Sequence, residues 1–237
     1  MQDSTADSQV PLVVDLDGTL IKTDLLWESL ARQLRRNPLS LFMILFWWAR
    51  GRAYLKRRLA RRIRLNPAEL PISEKFIAWL REQKALGRKL VLATASDSEM
   101  VTPVADYFRI FDEVLASDGR TNLRGGNKLK ALITKFGERG FDYAGNSSVD
   151  LAVWRGARNA IVVNANPSVQ KKAAATTNVA ATFSETYSSL ATMRSFLNEL
   201  FIRSGYWIAI GAGLLLATAF PKVDFAGAAW IAPGLLL

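Results

Sequence analysis

The 237-residue sequence predicts an α/β protein, a doubly wound parallel sheet with a small helical cap, followed by a carboxyl-terminal transmembrane helical hairpin. Short apolar runs alternate along the chain with helix-like segments, which is typical of parallel strands joined by crossover helices. Several of these runs end in polar residues, and open parallel sheets bind ligands at the carboxyl ends of their strands. The hairpin is predicted by two long uncharged runs within residues 205–237.

The first predicted strand covers residues 11–14 and leads directly into Asp15 and Asp17. Its β-branched valines favour a buried strand. Residues two apart on an extended backbone point to the same side, so the two carboxyl groups lie together. One acid can then attack a substrate while the other transfers a proton. The alternative is a solvated turn that closes a strand.

The second predicted strand, residues 89–93, ends at Thr94, Ala95, Ser96 and Asp97. A short hydroxyl side chain beside exposed helix amides can donate hydrogen bonds to an anion. The alternative is that these residues only cap a helix that begins near Glu99, with Ser96 or Asp97 as the N-cap.

Three further strands are predicted at 111–116, 141–144 and 160–163, the last of them closing the sheet. Lys128 begins a helix that runs to Phe136. A cation at a helix N-terminus is mildly unfavourable, which slightly favours a functional role for Lys128 over that of a surface lysine. Asn146 and Asp150 follow the strand at 141–144.

Four elements in this order resemble the motifs of the haloacid dehalogenase superfamily over residues 11–165: Asp-Leu-Asp-Gly-Thr at 15–19, the Thr94 strand end, Lys128, and Gly-Asn-Ser-Ser-Val-Asp at 145–150. That family consists mostly of magnesium-dependent phosphatases and phosphotransferases. The resemblance implies that Asp15 attacks phosphorus to form an aspartyl-phosphate. It implies that Asp17 protonates the leaving oxygen and then activates water.

The resemblance also implies the other site residues. Phosphoryl oxygens would be bound by Thr94, Ala95 and Lys128, with Lys130 as the second candidate for the lysine. Mg²⁺ would be bound by Asp15, the backbone carbonyl of Asp17, Asn146 and Asp150. The family usually has Asp where this chain has Asn146. A lost carboxylate lowers the affinity of a hard-cation site, so a weaker magnesium site is expected. The alternative is a domain that is weakly active or inactive and regulates or binds a partner.

Composition narrows the chemistry further. The chain has no cysteine and no histidine, which excludes disulfides, thiolate metal sites and Ser-His or Cys-His catalysis. A general acid or base must therefore be a carboxylate, Lys or Tyr. The net charge of +10 indicates an anionic partner, such as a phosphate substrate or an anionic lipid surface. Nucleic acid is not expected, because the arginines form no recognisable nucleic-acid-binding motif.

The cap is predicted over about residues 21–86, between the first two strands. Residues 41–49 are all apolar, and residues 50–64 are rich in arginine. We expect a helical cap over the acids, with arginines that could face a phosphate. Alternatives are a helical hairpin with a solvated basic face, or an interface with an anionic membrane formed by Trp47, Trp48 and the arginines.

Domain boundaries follow from these patterns. Residues 1–10 are expected to be disordered, 11–185 to form the haloacid dehalogenase-like domain, and 186–204 to form a linker or amphipathic helix. The uncharged run 205–220 and the apolar segment 225–237 form the hairpin. The alternative is a buried soluble helix pair. Because the last segment is unfinished, we expect a fragment of a longer membrane protein.

Location follows from charge. The polar amino terminus has no signal peptide, and Arg194 and Arg203 favour a cytoplasmic origin of the hairpin. We expect the inner membrane, with the catalytic domain on the cytoplasmic side. The expected substrate is a phosphorylated small molecule or lipid.

Two other resemblances bear on the membrane segment. Residues 141–154, together with the passage into membrane helices, are similar to the N-terminal domain of some UbiA-family prenyltransferases. Residues 214–237 resemble the first membrane helices of apolipoprotein N-acyltransferases. Neither family's catalytic part is present, so these resemblances imply a membrane-enzyme partner or fusion rather than those activities.

Overall fold

The computed structural model describes residues 9–37, 40–63, 65–118 and 122–185. Its centre is a six-stranded, entirely parallel sheet of order β3-β2-β1-β4-β5-β6. The strands are β1 (Leu12–Val14), β2 (Leu90–Asp97), β3 (Glu113–Ser117), β4 (Asp142–Gly145), β5 (Asn159–Val163) and β6 (Asn178–Phe183). The predicted parallel α/β fold is confirmed.

Helices cover both faces of the sheet. They are α4 (Glu74–Ala85) and α5 (Ser98–Phe108) on one face, and α6 (Gly126–Phe136), α7 (Leu151–Gly156) and α8 (Pro167–Thr176) on the other. Strand β1 contributes Leu12 and Val14 to the first core and Val13 to the second. A central parallel strand is buried on both sides, which explains why its sequence is apolar without alternation.

Two strands differ from the sequence prediction. Strand β2 continues through Thr94 to Asp97, so the polar residues lie within the strand end rather than after it. The prediction that 160–163 closes the sheet is wrong, because β6 pairs with β5 beyond it. The small, partly exposed side chains of β6 carry little of the apolar signal that marks a buried strand.

The cap consists of three helices, α1 (Leu25–Arg36), α2 (Ser40–Ala49) and α3 (Arg52–Arg62). Asp24 caps α1 by accepting a hydrogen bond from the Leu26 amide. Gly51, with a φ of +107°, makes the turn between α2 and α3. The three helices share a small core of their own: Leu26, Ile44, Trp47, Leu55, Leu59 and Ile63.

Two sequence expectations about the cap change. The range 21–86 includes α4, whose Phe76, Ile77 and Leu80 pack in the core of the sheet. The hypothesis of a joint membrane surface at Trp47 and Trp48 is wrong for Trp47, which is buried, whereas Trp48 is exposed. Adjacent residues of a helix point about 100° apart, so one cannot assume that they share a face.

The predicted disordered amino terminus falls largely on residues 1–8, outside the described residues, and the linker and membrane hairpin at 186–237 lie outside them entirely. Within the described ranges, no helix combines the length and the apolar character needed to cross a membrane.

Candidate active site

The carboxyl ends of β1, β2 and β4 lie side by side. Val14 of β1 pairs with Leu92 of β2 on one side and with Ala144 of β4 on the other. The residues that follow these three positions therefore meet at one edge of the sheet, where ligands of such folds bind. This register brings the predicted site residues into one neighbourhood.

Asp15 forms a buried ion pair with Lys128. The Lys128 Nζ atom donates a hydrogen bond to Asp15 Oδ1 at 2.7 Å, and both side chains are almost inaccessible to water. The pKa of Asp15 is raised to about 7, mainly by burial and also by the charges of Asp150 and Asp17, while Lys128 acts against this rise. The carboxyl group is thus set to titrate near neutral pH. Lys130, the second candidate from the sequence, is exposed.

Tyr143 joins Lys128 to Asp150. Its hydroxyl accepts a hydrogen bond from Lys128 Nζ at 2.9 Å and donates one to Asp150 Oδ1 at 2.8 Å. Burial raises the pKa of Tyr143 well above its ordinary value, and the neighbouring charges of Asp15 and Asp150 act in the same direction. The phenol therefore stays neutral and serves as a donor. Sequence reasoning missed Tyr143, although a hydroxyl in a predicted buried strand was a signal that it needs a partner.

Asp150 is held at the start of α7 by hydrogen bonds to its second oxygen. Oδ2 accepts from the Asn146 amide at 3.1 Å, from the Ser147 amide at 2.9 Å and from Ser147 Oγ at 2.7 Å. A side chain at Gly145 would collide with it, because a Cβ there would lie 2.7 Å from Asp150 Cγ. The glycine before Asn146 is thus needed for Asp150 to reach this position.

Asp17 is held on the other side of the site. Its Oδ1 accepts a hydrogen bond from the Leu25 amide at 2.9 Å, and its Oδ2 accepts one from Ser96 Oγ at 2.7 Å. The Thr94 hydroxyl lies 3.4 Å from the same Oδ2 and accepts a hydrogen bond from the Ser96 amide at 3.0 Å. Strand β2 therefore delivers both hydroxyl groups to Asp17.

The role of Ser96 was missed by the sequence analysis, which considered it only as a helix cap. The cap of α5 is instead Asp97, whose carboxylate accepts a hydrogen bond from the Glu99 amide at 3.0 Å. The neighbouring Ala95 is partly buried, and its carbonyl accepts a hydrogen bond from Ser117 Oγ at 3.0 Å. The Ala95 carbonyl thus anchors β2 to β3.

Asn146 lies directly over the turn that follows Asp17. Gly18 in that turn has a φ of +81°, and a Cβ on it would lie 2.1 Å from Asn146 Nδ2. Any side chain at Gly18 would therefore displace Asn146. The packing places Asn146 against the turn that carries Asp15 and Asp17.

The donor set decides how well a magnesium ion fits. Among the described residues, no group of three or more Asp or Glu side chains is arranged to hold a metal. Oxygen donors of the kind that Mg²⁺ prefers are nevertheless supplied by Asp15 and Asn146 near the same turn, with Asp150 close enough to raise the pKa of Asp15. Both oxygens of Asp150 already accept hydrogen bonds from the chain. The residues fit a magnesium site of low charge.

An uncharacterized protein, y4nM, from Sinorhizobium fredii is 37% identical over 157 residues, which are 66% of this chain and 30% of that protein. The chain thus spans about a third of the length of that relative.

Solved structures with the same fold include a protein of unknown function from Bordetella pertussis Tohama I, at 19% identity and a TM-score of 0.51, covering 71% of this chain and 96% of that one. They also include a haloacid dehalogenase family hydrolase from Salmonella enterica serovar Typhi, at 16% identity and a TM-score of 0.52. That match covers 73% of this chain and 68% of the hydrolase. A substrate-bound phosphoserine phosphatase complex matches at 13% identity and a TM-score of 0.50. That match covers 80% of this chain and 97% of the phosphatase.

The model of the haloacid dehalogenase-like hydrolase family matches residues 12–155, which include all the site residues described above. This match confirms the prediction of a haloacid dehalogenase-type phosphohydrolase domain, whereas the resemblances to prenyltransferases and acyltransferases stay predictions. The chain belongs to the haloacid dehalogenase-like hydrolase family.

Proposed function

We propose that this domain hydrolyses a phosphate monoester through a phosphorylated Asp15. The observation that supports this most directly is the buried pair of Asp15 and Lys128 at the carboxyl end of the central strand, 2.7 Å apart and close to Asp17. A carboxylate kept dry beside a fixed cation is suited to attack an anionic phosphate, because the cation offsets the repulsion between them.

The first half-reaction transfers the phosphoryl group to the enzyme. A carboxylate oxygen of Asp15 forms a bond to phosphorus while the bond from phosphorus to the ester oxygen breaks. Asp17 gives its proton to the departing oxygen, so the alcohol leaves neutral. Thr94, the backbone at Ala95 and Lys128 bind the phosphoryl oxygens in this proposal.

The second half-reaction restores the enzyme. Asp17, now ionised, accepts a proton from a water molecule as the water oxygen attacks phosphorus. The bond between phosphorus and Asp15 breaks, and inorganic phosphate and the free carboxylate result. Ser96 and the Leu25 amide hold Asp17 for both proton transfers.

Magnesium is the proposed cofactor, which Asp15, the backbone carbonyl of Asp17, Asn146 and Asp150 would hold. When bound, a divalent cation neutralises charge on the transferring phosphoryl group. The chain contributes fewer negative charges than the usual arrangement of the family, because Asn146 replaces an acid. Tyr143 and Ser147 hold Asp150 in place by hydrogen bonds to its two carboxylate oxygens.

The proposed substrate is a phosphorylated small molecule or lipid. A cap with exposed apolar and basic side chains, described below, favours the lipid. The proposed location is the cytoplasmic side of the inner membrane, with residues 205–237 as the tether and a membrane enzyme as a partner or fusion. Membrane fractionation of cells that express the full chain tests the location, and recovery in the soluble fraction would contradict it.

The test of the activity is hydrolysis of p-nitrophenyl phosphate by the full chain across a magnesium titration, beside Asp15→Asn. Magnesium-dependent turnover that the substitution abolishes supports the proposal. A phosphorylated form of the protein that disappears in Asp15→Asn would identify the nucleophile independently of the substrate. Equal rates in both proteins at saturating magnesium would contradict it.

Asn146 favours a second candidate function. A fold that retains Asp15 and Asp17 but lacks one acid of the metal site is also suited to bind a phosphorylated ligand without turnover and to regulate a membrane partner. Binding of inorganic phosphate without hydrolysis of any aryl phosphate would favour this candidate.

A further inference from the structure

The helix α2 of the cap is apolar on both sides. Its inner side places Ile44 and Trp47 in the cap core, where each is less than 10% exposed. Its outer side carries Phe42, Leu45, Phe46 and Trp48, each more than half exposed. We call these four side chains the outer face of α2. Among the described residues, these are four of the most exposed large apolar side chains.

The outer face is a single surface by its spacing. Residues 42, 45 and 46 are separated by three and four positions, and 48 lies three beyond 45, so they lie on neighbouring turns of one side of the helix. Soluble helices normally present polar residues to water. Four adjacent large apolar side chains in water mark a site of interaction.

Arginines border this face. The Arg50 guanidinium lies 4.8 Å from the centre of the Phe46 ring. The same guanidinium lies 5.6 Å from the centre of the Tyr54 ring on α3, and the exposed Arg58 donates a hydrogen bond to the Tyr54 hydroxyl at 3.0 Å. Arg57, which precedes Arg58 on this helix, is also exposed. The sequence contains no acidic residue between Glu28 and Glu69. The outer face of α2 therefore lies in a stretch of the chain whose charged residues are all positive.

We propose that the outer face of α2 docks on the surface of an anionic lipid bilayer. Aromatic and leucine side chains enter the boundary between headgroups and acyl chains, while arginines bind the headgroup phosphates. The positive charge beside the apolar face favours an anionic bilayer over a purely apolar partner, because only the bilayer has headgroups that the arginines can bind. A second copy of the chain would bring like charges together, which disfavours it.

This inference does not rest on the proposed phosphatase activity, because it uses no residue of the site. The cap helices lie in the chain between β1 and β2. Asp17 contacts the first residue of α1, because its carboxylate accepts a hydrogen bond from the Leu25 amide. Docking of the cap would thus hold the site next to a lipid surface.

The test uses the absence of cysteine from the sequence, which lets one introduced cysteine carry a label. Leu45→Cys and, as a control, Glu138→Cys on an exposed turn far along the chain are made in the full chain and labelled with an environment-sensitive fluorophore. Vesicles of phosphatidylcholine with and without phosphatidylglycerol are added. With phosphatidylglycerol, we expect the fluorescence emission of the label at position 45 to shift to the blue and to be quenched by brominated lipids. The emission of the label at position 138 should not change.

The site-specific label separates this docking from binding by residues 205–237. If the protein sediments with vesicles while the label at position 45 stays unchanged, the proposal is wrong and the chain binds through other residues. Equal shifts at both positions, or the same shift with phosphatidylcholine alone, would also overturn it. A shift that needs no vesicles and grows with protein concentration would identify a second copy as the occupant.

A charge variant gives an independent measure. Arg57→Gln with Arg58→Gln should weaken partitioning to the anionic vesicles by about fivefold per arginine, since each contributes about 1 kcal/mol near such a surface. The matched control is Lys130→Gln with Arg155→Gln, both exposed on helices that cover the sheet. An equal loss in the two double variants would show that only net charge matters and would contradict docking by the cap.

Discussion

The Lys128 Nζ atom lies 2.7 Å from Asp15 Oδ1, and both groups are buried at the end of the central strand. The two residues are 113 positions apart in the sequence, so only the parallel sheet brings them together. A buried charge without its partner is costly, so removal of either group would leave the other uncompensated.

Replacement of Lys128 should reduce catalysis strongly. Lys128→Met removes the cation that lowers the pKa of Asp15 and that neutralises the phosphoryl oxygens, so we expect kcat/KM to fall by about 10²- to 10³-fold. Steady-state hydrolysis of p-nitrophenyl phosphate measures this. Lys130→Met, on the exposed side of the same helix, should stay within about twofold of wild type. A similar loss in both variants would contradict the assignment of Lys128.

Replacement of Tyr143 should affect stability and catalysis together. Tyr143→Phe keeps the ring but leaves Lys128 and Asp150 each without one hydrogen-bond partner. We expect the free energy of unfolding to fall by about 1–3 kcal/mol and kcat to fall by about tenfold. Urea unfolding and steady-state kinetics measure the two effects. Tyr107→Phe, at an exposed tyrosine, is the control and should change neither. Wild-type kcat in Tyr143→Phe would exclude a positioning role.

The pH dependence of stability should report the buried Asp15. Its pKa is about 7 in the folded protein and 3.8 in the unfolded chain, so its contribution to stability is fully present below pH 3.8 and is lost as the pH rises to 7. Without magnesium, we expect the free energy of unfolding to fall by about 2–3 kcal/mol between pH 5 and pH 7, since each pH unit corresponds to about 1.4 kcal/mol. Above pH 7 it should change little. Chemical unfolding in EDTA across this range measures it.

The absence of histidine makes this measurement interpretable, because no other side-chain type normally titrates between pH 5 and pH 8. Asp15→Asn should flatten the profile. The carboxylate of Glu113, whose pKa is lowered by the hydrogen bond from Lys135, acts with the opposite sign and below this range. A wild-type profile that is already flat between pH 5 and pH 7 would show that Asp15 is ionised throughout.

The sequence predicted those parts of the molecule that local pattern determines. Buried β-branched strands and the polar residues at their ends are adjacent in the chain, so Asp15, Thr94 and Asp150 could be assigned to one edge of a sheet. Lys128 was selected from the resemblance to the family, and the cost of a cation at a helix start slightly favoured a functional role for it. The order of elements and the parallel direction of the strands placed the strand ends together, whereas the roles of Lys128 and Asp150 came from the resemblance to the family's motifs.

The site residues and buried side chains that the sequence did not predict depend on the direction of each side chain, which the sequence pattern does not give. Tyr143 and Ser96 each sit in a strand, and only the register and the turn after it decide whether they face the site. The two sides of α2 are equally apolar, so the burial of Trp47 and the exposure of Trp48 follow from packing with α1 and α3. The small residues of β6 did not decide between a helix and a strand at the end of the domain.

Restoring an acid at position 146 should strengthen the proposed magnesium site. Asn146→Asp adds one carboxylate against the turn at Gly18, near Asp15, and we expect at least about a tenfold lower magnesium concentration for half-maximal activity. The substitution preserves side-chain shape, so the fold should be unchanged. Activity across a magnesium titration measures the shift.

The matched control is Asn166→Asp, at the N-cap of α8, where an acid caps the helix as well as the amide does. It adds the same charge away from the site and should leave the magnesium requirement unchanged. Asn146→Ala should raise the requirement, since it removes an oxygen donor. If Asn146→Asp and Asn146→Ala both show the wild-type magnesium dependence, Asn146 does not hold the cation, and the low-charge site must be built from Asp15 and Asp150 instead.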